Sequence, residues 1–351
     1  MSALYIKQNP NNPLPLVPAA YPFGPATDAA EAAEIDAALD AVLAQASVSA
    51  ADVAKDALGA MRRLHTHLIT TLPYENLSVY YGSEPPSLRP LALVRKMVGP
   101  NGRGGFCVEL NALYAMLLLR LGFTVDMRTA LVTAGVYPGD PSLADKPNTH
   151  LTLLVSVPGR PELGRWMCDI GASDFAPMEP LEFVPNRSPE ELAALAPQGG
   201  SGGLWFTIRP IDWEDRPAWA LWFHRLEKTK SAGRPPSIDV AASEMEPPHI
   251  PESDYLPFFV YHDEDVPWLD FERINMRVKQ PAFCPPVPFF TQYATLPKPN
   301  GDRATLIGSR AKGYTFFVRD ILGRTIESEK VPTVEKFEEM LLSRLHIRLP
   351  E

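Results

Sequence analysis

The stretch Arg103-Gly104-Gly105-Phe106-Cys107-Val108-Glu109-Leu110-Asn111 runs two glycines into the start of a periodic apolar segment, and it constrains the chain more than any other feature. From Leu110 the apolar side chains recur at Leu110, Leu113, Tyr114, Leu117, Leu118 and Leu121, the three-and-four spacing of one helix face. Gly122 is placed to cap its C-terminus. Cys107 therefore sits at or just before a first helical turn. Unpaired backbone N–H groups and the positive end of the helix dipole there favour a thiolate over a thiol. The thiolate is the nucleophilic form, so the segment reads as the nucleophile of a cysteine enzyme.

Free cysteines are mostly inert core residues, and the other two in this chain fit that description better. Cys168 lies in the apolar, strand-like run Trp166-Met167-Cys168-Asp169-Ile170, and Cys284 sits among prolines. Suitable partners for Cys107 follow in order. His150 opens the apolar, β-branched run Leu151 to Val157, which reads as a buried strand. Asp169 ends the next strand candidate just before Gly171, and a carboxylate in that position needs a charged or hydrogen-bonded partner. A histidine at a strand start can equally be a satisfied core residue. Taken together, Cys107, His150 and Asp169 supply a nucleophile, a base and an orienting carboxylate.

These residues, with others upstream and downstream, resemble the arylamine N-acetyltransferases through most of the chain. Arg103 to Asn111 matches that family's Arg-Gly-Gly-x-Cys motif with the following Glu and Asn. Pro73-Tyr74-Glu75-Asn76-Leu77 matches its Pro-Phe-Glu-Asn-Leu motif with Tyr for Phe, and Leu64 to Leu68 is similar to the helix before it. His150 and Asp169-Ile170-Gly171 stand where the family has its histidine and its Asp-Val-Gly or Asp-Ala-Gly. Asp270-Phe271-Glu272 with Asn275, the later Phe289, and Thr333 to Leu349 resemble the C-terminal lid with its last helix and strand.

The resemblance implies a Cys107-His150-Asp169 triad, a cysteine-protease-like core and a ping-pong reaction. An acetyl group would pass from acetyl-CoA to Cys107, then to the nitrogen of an arylamine, arylhydrazine or arylhydroxylamine, a detoxifying reaction. Malonyl-CoA or propionyl-CoA are alternative donors. CoA is then a cosubstrate, with no permanently bound cofactor and no metal. His65 and His67 lie two apart on a helix and diverge. Backbone N–H groups near Cys107 would stabilise the oxyanion. Gly104, Gly105 and Phe289 are implied CoA contacts, and Glu75, Asn76 and Arg103 supporting residues. Glu75 and Arg103 would brace the loop as a pair, against the plainer reading of a surface ion contact worth under about 1 kcal/mol. A malonyl carboxylate would need a cation such as Arg128, whose side chain the sequence does not locate.

Composition sets the limits. With a formal net charge of −9 over 351 residues, the chain is a poor default partner for nucleic acid. Three cysteines argue against a disulfide scaffold, and no signal peptide or apolar run of membrane-spanning length stands out. The expected setting is the cytoplasm, with small-molecule partners and no membrane; the sequence leaves the oligomeric state open.

The expected fold is α+β in three parts: a helical bundle over 1–122 carrying Cys107, an antiparallel β-barrel over 123–262 carrying His150 and Asp169, and an α/β lid over 263–351. An Ala-rich stretch, Asp28 to Gln45, starts the helices. Strands are expected at Val125–Val132, His150–Val157, Arg165–Ile170, Leu204–Ile208, Thr305–Ile307 and Tyr314–Val318, and Phe337, Met340, Leu341 and Leu345 share one face of a terminal helix. Ser188 to Gly203 and Lys228 to Pro251 read as loop insertions, and with 38 prolines they give the chain a fungal style. Val108 replaces the larger residue common after the family's cysteine. A papain-like or transglutaminase-like hydrolase shares the Cys-then-His order, but the Cys-Gly-Ser/Ala-Cys-Trp/Tyr signature is absent.

Overall fold

Side-chain caps fix where the first helices begin. The computed structural model describes residues 28–78, 87–99, 102–132, 150–183, 198–201, 204–213, 216–225, 255–262 and 292–349. Helix α1 (Ala29–Gln45) starts at Asp28, whose carboxylate accepts from the Glu31 N–H at 2.9 Å. Helix α2 (Ala50–Lys55) carries a reciprocal Ser49–Asp52 capping box, and α3 (Ala57–Thr71) starts on the carboxylate of Asp56. Helix α4 (Pro90–Met97) has proline at its first position, where the missing N–H costs nothing.

Helix α5 (Cys107–Arg120) departs from the sequence reading. One apolar face was expected, yet every residue from Val108 to Leu118 is buried. Val108, Ala112, Ala115 and Met116 make the helix apolar all round, as a helix enclosed by its neighbours must be. Its end is as expected: the Gly122 N–H donates to the Leu119 carbonyl and the Phe123 N–H to the Leu118 carbonyl, each at 3.0 Å, a Schellman closure.

Strand β1 (Tyr74–Glu75) follows α3, and two antiparallel sheets complete the fold. The larger contains β2 (Thr124–Val132), β3 (His150–Ser156), β4 (Arg165–Cys168), β5 (Leu181–Phe183), β6 (Gln198–Ser201), β7 (Leu204–Trp213), β8 (Arg216–Arg225) and β9 (Tyr255–His262). Their order is β5-β4-β3-β2-β9-β8-β7-β6. This corrects the expected barrel: β5 and β6 stay unpaired edges among the described residues. The sheet rolls far enough for Phe183 of β5 to pack on Trp219 of β8 at 4.4 Å between ring centroids. Side chains, not a hydrogen-bond ladder, meet across the roll, and edge strands of three and four residues offer little ladder to join.

Two further readings change. The end of the Ser188–Gly203 insertion is strand β6, while residues 228–251 lie outside the described residues. Strands β8 and β9 were not foreseen, because Pro217 and Pro257 interrupt their patterns. Pro257 is accommodated where the β8–β9 register shifts between Leu221 and Trp222, a bulge.

The second sheet, ordered β1-β10-β11-β12-β13, joins β1 to β10 (Gln292–Pro297), β11 (Arg303–Ser309), β12 (Gly313–Arg319) and β13 (Thr325–Val331). Its apolar face, including Ala294, Leu306, Phe316 and Val318, is covered by α6 (Val334–Leu345) through Phe337, Met340, Leu341 and Leu345, the face read from the sequence. Residues after α6 form no strand up to Leu349, contrary to expectation. Among the described residues no helix is long and apolar enough to cross a membrane.

Candidate active site

Cys107 is the first residue of α5 and is partly exposed. The turn before it is held against β1: the Glu75 N–H donates to the Gly105 carbonyl at 2.9 Å and the Gly105 N–H to Pro73 at 3.3 Å. A Cβ on Gly104 would lie 1.5 Å from the Pro73 carbonyl oxygen, so only glycine permits this contact. The need for a glycine at this position is thus met by backbone packing.

A buried charge network underlies the turn. Arg103 donates from Nε and Nη2 to Glu75 Oε1 at 3.2 and 3.0 Å, and from Nη2 to the Ser78 hydroxyl at 3.1 Å. The other Glu75 oxygen accepts from the Leu77 and Ser78 N–H groups. Lys96 at the end of α4 reaches Glu109 at 2.7 Å and Glu75 at 3.5 Å. Glu109 also accepts from the Phe106 N–H at 3.2 Å. Burial pushes the Glu109 carboxyl up, and Lys96 pulls it back. Glu75 is fully buried, so the expected Glu75–Arg103 pair is no surface contact. Breaking such a buried pair costs about 3–5 kcal/mol. Asn76 docks the same motif on the second sheet, its Oδ1 accepting from the Tyr293 N–H at 2.9 Å.

His150 opens β3, opposite Ala130 of β2, and Asp169 directly follows β4; both are buried. His150 Nε2 lies 2.5 Å from Asp169 Oδ2. The other carboxylate oxygen accepts from Asn111 Nδ2 and from the Gly171 N–H, each at 2.9 Å. Asn111 also donates to the Leu151 carbonyl at 2.5 Å and accepts from the Ile170 N–H at 3.0 Å, so one amide on α5 locks both the histidine strand and the aspartate loop. A Cβ on Gly171 would fall 2.7 Å from the Cys107 backbone, so glycine lets the aspartate loop lie against the cysteine.

Burial alone would depress the His150 pKa. The charge and hydrogen bond of Asp169, with the hydrogen bond and charge of Cys107, outweigh burial and raise it to about 10. Both partners thus favour the protonated ring. With Nε2 committed to Asp169, Nδ1 is the atom left for the Cys107 sulfur. A thiol paired with an imidazolium that a carboxylate orients can act as a nucleophile with its acid–base partner in place.

Cys107, His150 and Asp169 thus come together, with Glu75, Asn76 and Arg103 bracing the turn. Phe289, Asp270, Phe271, Glu272, Asn275 and Cys284 lie outside the described residues. Cys168 is a core thiol, its pKa pushed up to about 12 by burial. Arg128 is buried with Nη2 3.6 Å from Asp126; opposite Thr152, it shares a sheet face with His150. Sequence reasoning missed the roles of Asn111 and Lys96. For Asn111 a signal existed: a polar side chain one turn beyond Cys107 in an apolar helix. Among the described residues no cluster of three or more His, Cys, Asp or Glu side chains could hold a metal ion.

Comparison with known proteins finds relatives by sequence and by fold. A sequence profile of the family described as N-acetyltransferase matches residues 57–195, the segment holding all three residues. The arylamine N-acetyltransferase of Mycobacterium tuberculosis is 34% identical over 178 residues, 48% of this chain and 60% of that protein. The chain thus matches 60% of the length of that curated relative. The solved arylamine N-acetyltransferase of Salmonella typhimurium shares the fold with a TM-score of 0.61 at 20% identity, over 84% of this chain and 86% of that one. The Mycobacterium marinum enzyme in complex with CoA does so with a TM-score of 0.59 at 20% identity, over 83% and 86%. By sequence profile and by relatives over part of its length, and by fold over most of it, the chain is similar to the arylamine N-acetyltransferases.

Proposed function

We propose that this chain transfers an acyl group from an acyl-CoA, acetyl-CoA first among them, to the nitrogen of an arylamine, arylhydrazine or arylhydroxylamine. The observation that carries the reading is the His150 ring held between the Asp169 carboxylate and Cys107, the first residue of a helix. The Cys107 sulfur attacks the thioester carbonyl; the bond to the CoA sulfur breaks, and CoA leaves with a proton from His150. The amine then attacks the acyl-cysteine, gives its proton to His150 and releases Cys107 as thiolate. The Phe106 N–H is already taken by Glu109, which leaves the first-turn N–H groups from Cys107 onward as oxyanion donors. CoA is a cosubstrate in this scheme, as support from the relative solved with CoA suggests. Contacts from Gly104, Gly105 and Phe289 to CoA belong to the same proposal.

Malonyl-CoA or propionyl-CoA as preferred donor is the finer alternative, and Arg128, on the His150 face of the sheet, is the cation to test for malonyl. Intact-protein mass spectrometry after mixing with each donor, without amine, tests the reading. An acyl adduct mapped to Cys107 that disappears when aniline is added is the expected result, and Cys107→Ala should form none. An adduct-free wild-type protein whose Cys107 remains alkylatable would defeat the proposal.

A further inference from the structure

The loop that carries Asp169 is held from two directions. On one side α3 grips it: His65 Nε2 donates to the Pro177 carbonyl at 3.0 Å and Thr66 Oγ1 to Met178 at 3.4 Å. On the other stands the second sheet. The face opposite α6 is polar yet buried: Thr295 and Thr305 pair their hydroxyls at 3.0 Å, and Arg303, two residues before Thr305, lies on the same face. The Arg303 guanidinium leaves that face and forks onto the loop, donating from Nη1 to the Ser173 carbonyl at 2.5 Å and from Nη2 to Ala176 at 2.9 Å.

Between those anchors and Asp169 the chain has little freedom. Ser173 holds φ at 58°, a left-handed value uncommon for a side-chain-bearing residue, so the loop's shape must be imposed by its surroundings. Gly171 and Ile170 are pinned to Asp169 and Asn111. A shift at Ser173 therefore passes to the carboxylate facing His150.

We infer that Arg303 is a positioning residue: its fork on Ser173 and Ala176 couples the docking of the C-terminal sheet to the orientation of Asp169, and through Asp169 to His150 and Cys107. A planar fork suits this task and a lysine does not, since a single ammonium cannot span both carbonyls in the same geometry. For turnover the inference rests on the proposed acyl transfer; for thiol reactivity it does not.

Arg303→Lys and Arg303→Gln, in the full chain, test it with three readouts: melting temperature, iodoacetamide alkylation of Cys107 at pH 7, and kcat and KM for transfer from acetyl-CoA to aniline. The expected result is a folded protein whose Cys107 is alkylated several-fold more slowly. Its kcat should fall about tenfold to hundredfold, the cost of misplacing a reacting group by up to 1 Å, with KM for acetyl-CoA nearly unchanged. Methylguanidinium should restore part of the alkylation rate to Arg303→Ala. Unchanged alkylation and kcat in the folded variants, or losses that follow only the unfolded fraction, would overturn the inference; if Arg303→Gln does not fold, Arg303→Lys decides. A wild-type chain that transfers no acetyl group, combined with slowed alkylation in Arg303→Lys, would defeat the proposed function and leave the positioning role standing.

Discussion

Two histidines in this protein are equally buried and are driven in opposite directions. His65, on α3, has its pKa pushed by burial down to about 4, against weaker pulls from the Pro177 carbonyl and Asp169. His150, at the start of β3, is raised to about 10, because a carboxylate in hydrogen-bond contact and the cysteine overcome the same burial. Burial sets the penalty for charge in both places, and the chemistry of the nearest acceptor decides whether it is met. A carbonyl dipole leaves one ring neutral and structural. A carboxylate makes the other a cation fit to hold a thiolate.

The sharpest way to break this contrast is to remove the carboxylate charge while keeping its shape. Asp169→Asn should leave His150 buried with only neutral partners besides Cys107, and turnover should drop by about 10³–10⁴-fold, as expected when an orienting carboxylate is lost and the imidazole tautomer is wrong. Single-turnover acylation and alkylation of Cys107 should slow together. A raised His150 pKa also contributes stability that is fully present below the unfolded value of 6.5 and is lost as pH climbs through about 10. Alkaline unfolding curves of Asp169→Asn should therefore flatten in that window; an unaltered curve would remove Asp169 as the cause of the shift.

Asn111 comes next in size. Its amide supports the carboxylate without touching the histidine, so Asn111→Leu, which keeps the volume, removes one charged hydrogen bond and strands the Leu151 carbonyl and Ile170 N–H. Loss of a hydrogen bond to a charged group predicts a fall in kcat of about tenfold to hundredfold, smaller than for Asp169→Asn. Equal losses in the two variants would mean that Asn111 acts on more than the carboxylate.

The difference between the two histidines also marks what the sequence could express. Cys107, His150 and Asp169 were legible because each sits at a local boundary, a helix start, a strand start and a strand end, that periodicity and glycines reveal. The terminal helix face and six of the thirteen described strands, β2, β3, β4, β7, β11 and β12, were legible for the same reason. The sequence shows His65 only as half of a diverging pair, since its partner is the Pro177 carbonyl, 112 residues away. Arg303 reaches back 127 and 130 residues to its two carbonyls, and no local pattern encodes that. Closure of the larger sheet failed as an expectation because strand spacing states how many strands exist, not whether the last pair joins. The complete burial of α5 is written in Val108, Ala112, Ala115 and Met116, which lie off the face that the three-and-four periodicity marks.

The smallest expected effect isolates His65 itself. Its unfolded-state pKa is near 6.5 and its native value about 4, so both states are neutral above 6.5 and the residue then contributes no pH dependence. As pH falls from 6.5 toward 4 the unfolded chain takes up the proton and the native ring does not, so stability declines. The full penalty, reached below 4, is about 3.5 kcal/mol, the fall from 6.5 to about 4 at about 1.4 kcal/mol per pH unit. His65→Gln keeps a donor for the Pro177 carbonyl and cannot titrate. Urea unfolding at pH 7 should place this variant close to wild type, and the two should diverge in its favour as pH is lowered to 4, while Cys107 alkylation at pH 7 changes little. A stability difference that stays constant across that range would mean that His65 accepts its proton in the native protein, and the opposition between the two rings would then owe nothing to their partners.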